Sequence, residues 1–189
     1  MRAGPPPACR PAYGAKNGNL SALVRLYRLH NRPRSMDELE FFQTMPSLEL
    51  AIHNAALATD SRGKRFGHQC RIPAAALRRS KVALDSRTAE VRSCKSFHDL
   101  HSLLKRVLSD VRGLGELYYY DTALRLGAFL GFAPEHVYLH RGTRAGARAL
   151  GLDSSAEFLK LSQLPAPVRA LQAHEVEDFL CIYKGRFRT

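Results

Sequence analysis

Apolar side chains recur at intervals of three and four residues along most of the chain, which is the spacing of amphipathic helices. The clearest case follows Ser96, a predicted N-cap. Behind it the apolar positions are Phe97, Leu100, Leu103, Leu104, Val107 and Leu108. A similar face begins at Leu20 and is interrupted at Pro33, because proline cannot continue a helix. These patterns predict two helices, each with one face in a core.

Capping residues and prolines place the boundaries of the other predicted elements. The helix that follows Pro33 is predicted to begin at Ser35 or Ser47 as its N-cap. Asp37, Glu38 and Glu40 would then form an acidic first turn.

Three more helices are predicted further along the chain. One is alanine-rich and follows Pro73, one runs from Asp153 to Pro165 behind a serine cap, and one lies in the tail. Only residues 137–140, VYLH, have a strand-like pattern, and that stretch is short and ambiguous. The chain therefore predicts an all-α fold of about seven to nine helices with little sheet.

The length of 189 residues suits a single domain with a core. Residues 1–19 predict a disordered basic arm, and residues 20–189 predict one helical domain. No apolar run approaches the roughly 18 residues of a membrane helix, and the N-terminus lacks the apolar stretch of a secretory signal. We therefore expect a cytoplasmic protein that does not enter a membrane.

The cysteines are scattered, without a CxxC pair and without histidines at zinc spacing. They stand at Cys9, Cys70, Cys94 and Cys181. This distribution predicts free thiols, with no structural metal, no disulfide framework and no cofactor.

The net charge is +12 and is unevenly distributed. Residues 1–35 contain seven basic side chains and no acidic one, whereas the chain from Asp153 onward is balanced. Such asymmetry favours a polyanionic partner, of which nucleic acid is the commonest. A basic protein without such a partner is the alternative interpretation.

A cationic loop is predicted between two helices. Its candidate contacts to a phosphate backbone are Arg62, Lys64, Arg65, Gln69 and Arg71, with His68 as a candidate catalytic residue. A solvated loop has the same composition.

Gly113, Leu114 and Gly115 form a predicted turn between two helices. Glycines permit a positive φ or a close approach to a ligand, and a helix that starts directly behind them offers free amide groups to an anion. A plain helix–helix turn is the alternative.

The stretch VRGLGELYYYDTALRLG resembles the helix-hairpin-helix element, which we place at about residues 98–152. In the HhH-GPD base-excision DNA glycosylases, a stretch similar to VDTHVxRVxxRLGL follows this element. Here it corresponds to LHRGTRAGARALGL, Leu139 to Leu152. The chain also resembles an uncharacterised family of small bacterial proteins with segments similar to HQCRIP and EVEDFLCIYK. The resemblance implies contact with the phosphate backbone of duplex DNA and a role in DNA repair.

Two departures from the glycosylases concern catalysis. His140 stands where those enzymes carry the aspartate that acts near the target sugar, and Leu117 and its neighbours replace the lysine of strand-cutting members. Asp121 is then the candidate carboxylate, and His140 a candidate general base. An ion pair between Asp121 and Arg125, four residues on, is the structural alternative.

Further DNA contacts are predicted on both sides of Pro134. Arg141, Arg144 and Arg148 fall on one helical face, with Thr143 in the first turn. Of the adjacent tyrosines at 118–120, which cannot all face one way, at least one is predicted to be core, and Tyr118 is a candidate for stacking on a base.

Three functions remain open from the sequence. The first is a glycosylase-like enzyme that cleaves the N-glycosidic bond of a flipped base, the second a DNA-binding module without chemistry, and the third a helical scaffold for a protein partner.

Overall fold

In the computed structural model, which describes residues 20–187, the chain forms nine α-helices and a small antiparallel sheet within that range. The elements are α1 (Leu20–His30), α2 (Arg32–Gln43), α3 (Leu48–Leu57), α4 (Ala74–Asp85), α5 (Thr88–Ser93), α6 (Phe97–Leu108), α7 (Glu116–Leu130), β1 (Val137–Tyr138), α8 (Arg141–Ala149), β2 (Phe158–Leu159) and α9 (Ala173–Tyr183). The predicted all-α class is confirmed. The predicted arm, residues 1–19, lies outside the described residues.

Of the predicted capping serines, Ser47 and Ser96 begin helices, whereas Ser35 lies inside α2. The Ser47 side chain accepts a hydrogen bond from the Leu50 backbone, and the Ser96 side chain accepts one from Asp99. The prediction for α2 is wrong, because this helix begins at Arg32, directly after a single-residue break at Asn31. Its acidic residues therefore lie beyond the first turn, and their side chains are free to pair with other elements.

The helix predicted after Asp153 does not form. The Asp153 carboxylate instead accepts hydrogen bonds from the Ser155 backbone, at 2.9 Å, and from its hydroxyl, at 2.6 Å, which closes a tight turn. Phe158 and Leu159 then form β2, which pairs with β1 in the register Val137↔Leu159 and Tyr138↔Phe158. The first two residues of the ambiguous VYLH stretch thus form a short strand. The stretch was ambiguous in the sequence because the partner strand lies well beyond its neighbouring residues.

The buried side chains form two cores. The larger core lies among the six helices α2 through α7 and contains Phe42, Ile52, Leu100 and Leu104. The smaller core lies among α1, the sheet, α8 and α9. Strand β1 connects them, because its alternate side chains point to opposite faces. Tyr138 belongs to the larger core, whereas Val137 and Leu139 belong to the smaller one.

Helices α8 and α9 pack at a glycine. A Cβ atom at Gly146 would lie 2.3 Å from the Leu180 carbonyl oxygen and 2.8 Å from the carbonyl carbon. Only glycine permits this backbone approach, which holds the middle of α8 against α9. None of the helices within residues 20–187 combines the length and apolar character needed to cross a bilayer.

Candidate functional site

The glycine turn joins α6 to α7 and rests on the start of α4. Gly113 has a φ of 99°, in the region that favours glycine, and a Cβ there would lie 3.6 Å from Pro73 and from Ala76. Gly115 is the N-cap of α7 and supplies no side-chain cap. The partly buried Leu114 packs against the larger core. The first-turn amide groups of α7 therefore have no capping side chain.

Arginines from α4 and from the turn lie beside one another. The Arg79 guanidinium donates to the Arg112 backbone oxygen at 3.3 Å, and the side chains of Arg78, Arg79 and Arg112 are exposed. Contact between the turn and α4 thus gathers cations that are more than thirty residues apart in sequence. A local reading of the sequence does not detect this grouping.

A pocket of about 210 Å³ opens beside the start of α7. Its wall residues are His101, Lys105, Glu116, Tyr119, Tyr120, Tyr138, Leu139, His140, Arg144, Ser155 and Glu157. The inner wall is aromatic, whereas the charged side chains at the mouth are partly or largely exposed. We call this the aromatic pocket.

The aromatic wall is a packed set of rings. The ring centroids of His101 and Tyr138 lie 4.5 Å apart, and the Tyr138 hydroxyl lies 2.9 Å from His98 Nδ1. Burial and the nearby Lys105 ammonium lower the pKa of His101 to about 4, so its imidazole is neutral at pH 7. The inner wall therefore consists of largely buried aromatic rings and a neutral imidazole.

His140 caps α8 and contacts α9. Its Nδ1 accepts a hydrogen bond from the Gly142 N–H at 3.1 Å, so the proton is assigned to Nε2, which donates to Glu177. Both side chains are buried. Burial raises the pKa of Glu177, although the hydrogen bond from His140 opposes this effect. Both ring nitrogens of His140 are therefore engaged.

Beneath the pocket, acidic side chains from α7 and α9 meet two buried phenols. Burial and the charge of Glu177 raise the pKa of Asp178 to about 7, and Asp121 acts in the same direction. Tyr27 and Tyr120, at 0% and 1% exposure, lie close to this group. Their hydroxyl groups have no partner in full hydrogen-bonding geometry. We call these three acids and two phenols the polar junction.

Asp121 is held by the loop before α4. Its Oδ2 accepts hydrogen bonds from Gln69 Nε2 at 2.7 Å and from His68 Nε2 at 3.0 Å. Burial lowers the pKa of His68, but the hydrogen bond and charge of Asp121 outweigh it and leave that pKa above its usual value. His68 is 43% exposed and Asp121 12%, so this pair connects the polar junction to the surface.

Arg125 does not form the alternative ion pair with Asp121. Its Nε donates to Glu38 Oε1 at 2.7 Å, its Nη1 donates to Gln69 Oε1 at 2.8 Å, and its guanidinium carbon lies 4.0 Å from the centre of the Phe66 ring. Gln69 thus bridges Asp121 and Arg125. Glu38 reaches this site because it lies within α2 and not in the first turn.

The structure brings the candidate catalytic residues into one region but not into one pocket. His68 contacts Asp121 directly, whereas His140 lines the aromatic pocket. His140 contacts Glu177, and the charges of Asp121 and His68 act on Glu177 in turn. The side chain that links the two groups is therefore Glu177, which the sequence did not single out.

The predicted arginine face divides into two kinds of side chain. Arg141 and Arg148 are exposed, while Arg144 Nη1 donates to the carbonyl oxygens of Ser154 and Ala156 at 3.0 and 2.7 Å. Thr143 is fully buried and completes a capping box with His140, so the prediction that it contacts DNA does not fit the packing.

The cationic loop also divides. Arg62, Lys64 and Arg71 are exposed, whereas Arg65 donates to the Ile72 carbonyl at 3.0 Å. Gln69 is 1% exposed and serves the internal network, so the prediction of a DNA contact is corrected here.

All three adjacent tyrosines are buried. Tyr118 is 2% exposed, and its hydroxyl lies 2.7 Å from both the Ala56 carbonyl oxygen and Ser80 Oγ. It cannot stack on a base, which corrects the prediction for this residue. Burial of all three is possible because α7 is surrounded by α2, α3 and α6, with Tyr119 and Tyr120 on the side facing the pocket.

Cys70, Cys94 and Cys181 are free thiols. Among residues 20–187, no group of three or more histidine, cysteine, aspartate or glutamate side chains is placed to hold a metal ion.

Two of the unpredicted site residues carry a signal in the sequence. Glu177 lies four residues after Ala173 and three before Leu180, on the buried stripe of α9, and His101 occupies the equivalent position on α6. A polar side chain within an apolar stripe requires a partner, and this requirement could have singled out both residues.

Comparison of the chain with protein-family models, with curated proteins and with solved structures finds no match. The function is therefore argued from the geometry of the site.

Proposed function

We propose that this protein binds duplex DNA through the glycine turn and its neighbouring arginines, and that the aromatic pocket receives a base extruded from the duplex. One observation carries the proposal: the cationic turn and the aromatic pocket meet at the start of α7, where Gly115 ends the turn and Glu116 begins the pocket wall. In this proposal the turn serves as a helix-hairpin-helix element.

The turn has the properties that a phosphate contact requires. Amide groups at the start of α7 carry the positive end of the helix dipole, and Arg79 and Arg112 add full charges beside them. Such contacts fix the register of the protein on the backbone without reading the base sequence. The net charge of +12 adds long-range attraction for a polyanion.

The pocket has the properties that an extruded base requires. A base that leaves the duplex loses its stacking neighbours and regains part of that energy against aromatic side chains. Tyr119 and Tyr138 line the pocket and keep some accessible surface, at 8% and 4% exposure, and the neutral His101 adds a hydrogen-bonding group.

Excision of that base is the chemistry that the polar junction would support. Hydrolysis of an N-glycosidic bond develops positive charge on the sugar, which a carboxylate stabilises. Glu177 does not line the pocket but is hydrogen-bonded to His140, which does, so its charge would act on the pocket from behind the imidazole. In this form of the proposal, Glu177 replaces the acid that the glycosylase pattern places at position 140.

DNA binding without chemistry is the second candidate, and the hydrogen bonds of His140 favour it. Its Nδ1 holds the Gly142 amide and its Nε2 holds Glu177, so neither nitrogen is free to activate water. A panel of duplexes with modified bases separates the two candidates. Abasic sites that disappear in Glu177→Gln support excision, and their absence across the panel leaves the binding module.

Affinity measurements on arginine variants test the binding itself. Arg79→Ala combined with Arg112→Ala is expected to weaken duplex binding by about tenfold or more, because two phosphate contacts are lost. Arg87→Ala combined with Arg92→Ala is the matched control, since it removes the same number of charges from exposed side chains that lie beyond the other end of α4. Equal losses in the variant and the control would contradict the role of the turn.

A further inference from the structure

Two ion pairs stand at the mouth of the aromatic pocket. Lys105 Nζ lies 3.1 Å from Glu157 Oε1, and Arg144 Nη2 lies 3.6 Å from Glu116 Oε1. The cations come from α6 and α8, while the carboxylates come from the turn before β2 and from the first residue of α7. All four side chains line the pocket.

Arg144 is oriented before any ligand arrives. Its Nη1 is fixed by the carbonyl oxygens of Ser154 and Ala156, which flank the pocket-lining Ser155. The rest of the guanidinium is directed at Glu116. A planar guanidinium held in this way presents its remaining donors in a fixed direction, which suits an anion with several oxygens.

The carboxylates that meet these cations are replaceable. The side chains of Lys105, Glu157 and Glu116 are each about half exposed, and ion pairs of this kind contribute little to stability because water and salt compete with them. Lys105 nevertheless lowers the pKa of Glu157, chiefly through their hydrogen bond. An anion of higher charge can therefore displace either carboxylate at little cost to the fold.

We propose that Lys105 and Arg144 bind a backbone phosphate of DNA at the mouth of the aromatic pocket, in place of the two carboxylates that hold them in the free protein. This inference rests on the proposed function. It adds a second phosphate-binding site and a competition within the protein that lowers the affinity for DNA. The carboxylates act as internal substitutes for phosphate, so they lower the affinity for DNA until a phosphate displaces them. Binding of the duplex thus exchanges carboxylate for phosphate beside the opening of the pocket.

The exchange has a thermodynamic signature. Displaced carboxylates attract cations from solution, and this uptake offsets part of the counterion release that drives DNA binding. Removing the carboxylates is therefore expected to raise the affinity and to steepen the dependence of log K on log salt concentration. A pair with only a structural role would give neither change.

The test compares two double variants by fluorescence anisotropy with a labelled duplex. Glu116→Gln combined with Glu157→Gln is expected to bind more tightly than the unmodified protein by about two- to fivefold for each ion pair. The control combines Glu49→Gln with Asp85→Asn, which makes the same charge change and breaks the exposed pairs to Arg92 and Lys81. The control is expected to gain less than about twofold in affinity, since its cations lie away from the pocket.

Adding Lys105→Gln to the first double variant isolates the cation. This substitution is expected to remove much of the gain and to reduce the salt slope by about one, because one phosphate contact is lost. Unmodified protein that binds with a steep salt dependence, together with equal gains in the two double variants, would overturn the exchange and leave the proposed function intact. Absence of salt-dependent binding by the unmodified protein would overturn both.

Discussion

At the residue scale, Asp178 combines burial with nearby negative charge. Its carboxyl lies beside Tyr27 and is coupled to Glu177, Asp121 and His68, and burial together with the Glu177 charge raises its pKa to about 7. An ionised Asp178 is therefore unfavourable in the folded protein, whereas the unfolded chain ionises it near its ordinary pKa of 3.8.

This difference predicts a pH dependence of stability. Because the folded pKa lies above the unfolded one, the stabilising contribution of Asp178 is complete below about pH 4 and is lost as the pH rises through 7. Relative to the unmodified protein, Asp178→Asn should gain about 2 to 4 kcal/mol of unfolding free energy between pH 4 and pH 8. Urea unfolding at a series of pH values measures this, and a difference that stays constant with pH would contradict it.

Gln69 gives a second prediction at this scale. It is the neutral bridge between the partly buried Asp121 and the buried Arg125, so Gln69→Ala leaves both charged groups short of a partner. We expect a loss of about 2 to 4 kcal/mol in unfolding free energy. Gln43→Ala, at an exposed position at the end of α2, should change it by less than about 0.5 kcal/mol. Comparable values for the two variants would show that the bridge is dispensable.

The chemistry of single residues was only partly predictable from the sequence. Asp121 was recognisable as an acid that needs a partner, but its partners His68 and Gln69 lie more than fifty residues away. The nearby Arg125 was the obvious candidate by spacing, yet it faces Glu38 on another helix. Pairing within one helix can be read from spacing, whereas pairing between helices depends on how they pack.

At the element scale, the approach of α8 to α9 depends on two glycines of different kinds. At Gly146 the obstacle to a Cβ is the Leu180 backbone, whereas at Gly142 it is mainly the Cys181 sulfur, 2.5 Å away. Backbone cannot move aside without separating the helices, but a side chain can be shortened by mutation.

The two glycines therefore respond differently to substitution. Gly146→Ala should destabilise the fold by about 3 kcal/mol or more, despite the better helix propensity of alanine. Gly142→Ala should be partly rescued by Cys181→Ala, and no comparable partner change rescues Gly146→Ala. Thermal unfolding of the single and double variants tests this, with Ala145→Gly as a control that reports helix propensity alone. A stable Gly146→Ala protein would contradict the observed packing.

Elements with local signals were predicted well from the sequence. The α3 and α6 helices begin at Ser47 and Ser96, because a capping side chain acts within its own first turn. The helix predicted at β2 was wrong because the structure there depends on a distant partner. Phe158 and Leu159 are extended because they pair with β1. The start of α2 was misplaced because a chain can re-enter a helix one residue after a break.

At the scale of the whole molecule, two cores meet at a polar junction, and the aromatic pocket opens beside it. Tyr120 belongs to both, because its ring lines the pocket and its hydroxyl lies among the acids of the junction. The sequence predicted the turn and, among the cations of this region, Arg144, but not Arg79, Arg112 or Lys105. It could not predict the pocket, whose walls come from α6, α7, β1, α8 and the turn before β2.

The proposed function requires that this protein contact the phosphate backbone of duplex DNA. The most direct test is the affinity for a duplex as salt is raised from about 50 to about 200 mM. If four or more phosphates are contacted, log K should fall linearly with log salt concentration with a slope of about −3.6 or steeper. Arg79→Ala combined with Arg112→Ala should make that slope shallower by about two. Affinity that is independent of salt, or no binding at low salt, would contradict the account.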